Sequence, residues 1–129
     1  MTMRIVHGAS ASPFVRKVRV ALAEKGLDYE LRPLLPFNVS AEYDKALNHD
    51  IPPLFDYLES QLQAREVIAG TRFSIGDIGI CTHFVNMQHA GHEVNATRWP
   101  KLARYVAHVL ARPSFKALID EEAPLFRAA

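Results

Sequence analysis

The spacing of apolar residues divides this chain into two unequal parts. From Met3 to His7 a short β-like run ends at Gly8, and a loop of small residues, Ala9-Ser10-Ala11-Ser12, leads to Pro13. Phe14, Val18, Ala21 and Leu22 then recur at helical spacing as far as Lys25, with Gly26 standing where a glycine ends a helix. Ser12 followed by Pro13 reads as N-cap and first helical residue, because the missing proline N–H costs nothing there. Tyr29 to Pro33 alternates as a strand does. The first third therefore predicts β–α–β, with a right-handed crossover if the strands run parallel in one sheet.

Everything after that reads as helix. Ser40 to about Asn48 is short and weakly patterned, whereas Ile51, Leu54, Phe55, Leu58 and Leu62 form a clear stripe. A loop from Arg65 to Phe73 follows. Ile75 to about His89 is apolar on nearly all sides, which marks a helix at the centre of a bundle. Pro100 to Leu110 carries Leu102, Tyr105, Val106 and Val109. Arg112-Pro113 interrupts, and Ser114 to Asp120 makes a last short helix.

Composition narrows the function classes. With 15 basic and 14 acidic residues among 129, the net charge is +1, which gives no electrostatic case for nucleic acid. The basic residues Arg16, Lys17 and Arg19 on the first helix read as a solvated face. No apolar run approaches the roughly 20 residues that span a bilayer, and the opening residues lack the apolar core of a signal peptide. A lone cysteine, Cys81, has no partner within the chain for a disulfide or a cysteine-based zinc site, which fits a reducing cytoplasm.

Candidate chemistry starts at the first helix. Its first-turn N–H groups are unpaired and its dipole is positive there, so an anion is favoured. A serine hydroxyl at that point can donate its proton to a thiolate. The plainer reading is that Ser12 only caps the helix. His83, His89 and His92 lie close together, but Gly91 and the lack of suitable neighbouring ligands argue against a metal, and all three read as exposed loop histidines. Cys81 among Ile78, Ile80 and Val85 reads as a buried, inert thiol, and Trp99 beside Pro100 as a packing anchor.

The run from Ser10 to Glu30, which opens Ser10-Ala11-Ser12-Pro13-Phe14-Val15-Arg16 and passes through Glu24-Lys25-Gly26, closely resembles the start of bacterial glutathione S-transferases. Phe73-Ser74-Ile75-Gly76-Asp77-Ile78 resembles the capped, buried helix of that family's helical domain. Its Ser74 and Asp77 are spaced as a capping box, and Phe73 and Ile78 as a hydrophobic staple. Trp99-Pro100-Lys101-Leu102 and Ala111-Arg112-Pro113-Ser114-Phe115 are similar to its last helices. The resemblance implies an α/β plus all-α fold, with a partial thioredoxin-like domain over residues 1–39 and an all-helical domain over 40–129. It also implies a serine-type site. Ser12, with Ser10 as second choice, would stabilise the thiolate of glutathione, and Phe14 and Val15 would present backbone to it. Glutathione would be the co-substrate, with no metal, in conjugation to a small electrophile or in peroxide reduction. The alternative is a non-catalytic module of the same fold used for protein interaction.

Two features set the chain apart from that family. Ile51-Pro52-Pro53-Leu54 followed by Glu59-Ser60 superficially matches the family's cis-proline strand and acidic-Ser turn, but the helical spacing through Leu62 makes it a helix opened by prolines. The resemblance also stops at about residue 43 and resumes at about 44, omitting most of the glutathione-gripping half. Either the chain carries an internal deletion or the numbering closes over skipped residues. A real deletion would leave two parallel strands with open edges, which implies a homodimer or larger assembly.

Overall fold

The computed structural model describes residues 3–33 and 46–127. The division at residues 39/40, the start of the weakly patterned Ser40 helix and the junction at Tyr43-Asp44 lie outside the described residues. Strand β1 (Arg4–His7) pairs in parallel with β2 (Tyr29–Arg32), in a register from Arg4 opposite Tyr29 to His7 opposite Arg32. Between them lies α1 (Pro13–Glu24). The Gly8 N–H prolongs the ladder by donating to the Arg32 carbonyl at 3.0 Å. Only glycine serves there: φ is +146°, and an added Cβ would stand 2.3 Å from Val15 Cγ2. At the other end of α1, Gly26 adopts φ +60°. Its N–H reaches the Ala23 carbonyl while the Leu27 N–H reaches Leu22, the paired bonds of a Schellman ending.

A π-helical turn at Ala46–Asp50 runs into α2 (Ile51–Leu62), followed by α3 (Ile75–His89), α4 (Pro100–Leu110) and α5 (Pro113–Arg127). Pro52 and Pro53 open α2 as a helix, and none of the described peptide bonds is cis. Ser74 and Asp77 form the complete capping box at the start of α3, which packs against α1, α4 and α5. Asp77 is fully buried, and it also accepts the Ile68 N–H at 2.7 Å and the Tyr105 hydroxyl at 2.8 Å. One carboxylate thus closes a loop, caps a helix and satisfies a buried phenol. Helix α4 has no side-chain cap from its own N-cap residue, Trp99. Glu59 on α2 supplies one, accepting the Lys101 and Leu102 N–H groups at 3.1 and 2.7 Å. Of the supposed acidic-Ser pair, Glu59 is therefore a brace between two helices, while Ser60 donates to the Tyr57 carbonyl of its own helix at 2.6 Å.

Two expectations need correction. The last helix does not stop at Asp120 but runs to Arg127 with Pro124 inside it. Glu121 and Glu122 hold that extra turn against α1 through ion pairs with Arg19 and Arg16. The face of α1 is also inverted relative to its apolar pattern. Phe14 and Val18 are 70% and 47% exposed, while Arg16, Arg19 and Val20 are buried. A guanidinium goes inside only where partners wait for it, and α3 and α5 provide them.

Candidate functional site

The Ser12 backbone and the two carbonyls that flank it are held by hydrogen bonds. The Ser12 N–H donates to the Ala9 carbonyl at 3.0 Å, and the Ser12 carbonyl accepts the Arg16 N–H at 2.9 Å. The carbonyl before it, on Ala11, accepts Arg16 Nη2 at 3.1 Å, and the one after it, on Pro13, accepts Thr82 Oγ1 at 3.1 Å. Ser12 occupies the N-cap of α1 with extended φ/ψ, yet its side chain makes no capping hydrogen bond. The capping role expected of this serine is absent. A half-buried hydroxyl is left beside the Phe14 and Val15 N–H groups, which have no preceding turn to pair with. Ser10 sits half-buried in the turn before it. Phe14 itself points outward beneath the Lys17 ammonium, 5.1 Å from its ring centre, while Val15 packs under Gly8.

Arg16 links this loop to the bundle. Its Nε donates to both Glu122 oxygens at 3.3 and 3.2 Å, and its Nη2 reaches Glu122 Oε2. Its Nη1 donates to the Thr82 carbonyl at 2.7 Å. Both partners of this ion pair are fully buried. The histidine expectation is corrected here as well. His83 and His89 lie on α3, not in a loop. His89 is nearly buried, donates through Nε2 to Glu122 Oε2 at 3.1 Å and stacks on Phe126 with ring centres 4.4 Å apart. His92 is exposed in the loop after α3. Partial burial, followed by the Lys17 and Arg16 charges, holds His83 below the usual histidine range. Among the described residues no group of three or more histidines, cysteines and acids is placed to hold a metal.

The remaining candidates are structural. Cys81 is fully buried, and that burial pushes its thiol up to about 12. Trp99 packs edge-on against Phe55 and donates Nε1 to Asp56 at 2.7 Å. An apolar groove of about 630 Å³ runs between α2 and α3, lined by Leu54, Phe55, Leu58, Ile80, His83 and Met87 among others. Periodicity did not reveal the Arg16–Glu122 pair. The available signals were the four-residue step from Arg16 to the core residue Val20 and the acidic run Asp120-Glu121-Glu122 near the other end of the chain.

Comparison with known proteins finds two overlapping domain matches. The glutathione S-transferase N-terminal domain matches residues 6–59, and the glutathione S-transferase C-terminal domain matches residues 37–122. No curated protein matches the sequence significantly. Among solved structures, a glutathione S-transferase from Rhodospirillum rubrum is similar at TM-score 0.70 and 19% identity, over 90% of this chain and 91% of that one. One from Methylobacterium radiotolerans, in complex with glutathione sulfonate, is similar at 0.68 and 21%, over 92% and 95%. A glutathione transferase homologue from Drosophila mojavensis with bound glutathione reaches 0.73 at 16% identity, over 99% and 96%. No helix of the described residues is long and apolar enough to cross a membrane. With its strand–helix–strand start, its capped central helix and a C-terminal domain match across most of its length, the chain belongs to the glutathione S-transferase family.

Proposed function

We propose that this protein binds glutathione and uses Ser12 to stabilise its thiolate for attack on a small electrophile or a peroxide. The observation that carries this reading is the Ser12 hydroxyl, which makes no capping hydrogen bond and stands between two held carbonyls, those of Ala11 and Pro13. A hydroxyl donating to a thiolate makes a charge-assisted hydrogen bond worth about 1.5–3 kcal/mol, which lowers a thiol pKa by roughly 1 to 2. From an ordinary value of about 8.5, that ionises a large part of the thiol at neutral pH. The Phe14 and Val15 N–H groups and the helix dipole favour the same negative charge. Serine, which has no sulfur, suits conjugation better than mixed-disulfide exchange. An apolar electrophile would find the groove between α2 and α3 beside His83, one residue from the Thr82 that bonds to Pro13.

The reading includes a homodimer, because β1 and β2 form a two-stranded sheet whose outer edges have no partner among the described residues. It also includes a cytoplasmic location, which suits a protein with one buried thiol and an external supply of glutathione. The test is a calorimetric titration with glutathione, together with turnover of a chromogenic electrophile. Binding at millimolar glutathione is expected, with Ser12→Ala keeping most of that binding and losing turnover by about 10- to 100-fold. No binding at that concentration would remove the enzyme and leave a module of the same fold. A monomer mass by light scattering would remove the dimer.

A further inference from the structure

We propose that Arg16 is the positioning residue of the Ser12 site, held by Glu122 and Thr82, so that the helical bundle sets where the Ser12 hydroxyl stands. This rests on the reading of Ser12 as the thiolate stabiliser. The geometry is a clamp with two jaws. Arg16 Nη2 holds the carbonyl before Ser12, and Thr82 Oγ1 holds the carbonyl after it, each at 3.1 Å. Both jaws are fixed to the bundle: Arg16 is bound to Glu122 and to the Thr82 carbonyl, and all three residues are fully buried. His89 donates to the same Glu122 oxygen from the last turn of α3, so the carboxylate is itself fixed from two sides.

Stability alone is a weak reason for such an arrangement, since a buried ion pair is commonly no better than well-packed apolar residues of the same size. A planar guanidinium does something an apolar residue cannot. It presents donors in a rigid fork, here aimed at a carboxylate, a helix carbonyl and the Ala11 carbonyl together. A hydroxyl that donates to a thiolate must stand within hydrogen-bond distance, and a displacement of about 1 Å can cost a factor on the order of 100 in rate. Arg16 touches no substrate in this account and acts only through the Ser12 backbone.

The test compares Thr82→Val and Arg16→Lys with the whole wild-type chain and with Ser12→Ala, following turnover, the ionisation of bound glutathione and the melting temperature. Thr82→Val is nearly isosteric and keeps the residue 82 carbonyl for Arg16, so it should fold, with a melting temperature lowered by the loss of the Thr82 Oγ1 bonds to Pro13 and Arg16. It should lower kcat by about 10-fold with little change in KM, and raise the pKa of the bound thiol. Arg16→Lys should lower kcat by about 100-fold in the same way, and if it does not fold, Thr82→Val decides alone. Wild-type ionisation and kcat in a folded Thr82→Val would overturn the proposal. So would losses that disappear when the variants are assayed well below their melting temperatures, the mark of a purely structural role. If Ser12→Ala also behaves as wild type, the reading of Ser12 falls too. If Ser12→Ala is impaired and the clamp variants are not, only the clamp falls.

Discussion

The bundle and the strand–helix–strand segment are stabilised in different ways. Of the buried apolar side chains described, only Val20 lies before residue 46, and no strand residue is buried. The bundle from α2 to α5 has its own core and a capping box, and Glu59 braces α2 to α4. The N-terminal segment reaches that core only through Val20 and Ala21 and is otherwise attached by polar contacts: Arg16 to Glu122 and Thr82, Arg19 to Glu121, and Glu24 to Arg112 and Ser114. Apolar burial is non-directional, whereas hydrogen bonds fix distances and angles. The segment that carries the candidate chemistry is therefore located by the directional kind of contact.

The largest test of this contrast is Arg16→Met. It leaves Glu122 buried beside His89 alone, and urea denaturation should show a loss of about 3–5 kcal/mol. Adding Glu122→Leu should restore much of that stability without restoring turnover, because the clamp on Ala11 stays lost. A double variant with wild-type turnover would erase the distinction between the two regions. Next comes Asp77→Ala inside the bundle, which strands the Ile68 and Ser74 N–H groups and the Tyr105 hydroxyl. It should cost about 3 kcal/mol while leaving the bound thiol's pKa unchanged at temperatures where the variant is folded.

A smaller effect comes with pH. The hydrogen bond from Arg112 holds the Glu24 carboxyl below its ordinary 4.5. A carboxylate with a depressed folded pKa adds stability that is fully present above its unfolded value and is lost as pH falls through the folded one. Stability should therefore decline below pH of about 4.5, and Arg112→Gln should flatten that decline. An unchanged acid limb in that variant would detach Glu24 from the account. The smallest effect belongs to the strands. Ile5 is 42% exposed, so Ile5→Thr should change stability by no more than about 0.5 kcal/mol. A larger loss would mean that the sheet edge is covered, and would point to the dimer.

Local signals carried much of the fold. Gly26, the Ser74–Asp77 box and the prolines at 52, 53, 100 and 113 each set a helix boundary through chemistry that acts within a few residues. Cys81 was readable because its apolar neighbours lie on its own helix. The burial of Arg16 was not, because its partner Glu122 is 106 residues away and nothing in a local window shows a carboxylate waiting there. The same distance hid the extra turn of α5 and the role of His89, both of which follow from Glu122. At Ser12 the sequence gives two readings, cap or donor. What separates them is a side-chain direction, which depends on how the flanking carbonyls are held.

The most direct test is the pH titration of glutathione bound to the wild type and to Ser12→Ala, followed by thiolate absorbance. The account predicts a bound thiol that ionises about 1 to 2 pH units below an ordinary thiol in the wild type and returns most of the way in Ser12→Ala. Equal titration curves for the two proteins, or a wild-type curve that matches free glutathione, would contradict it.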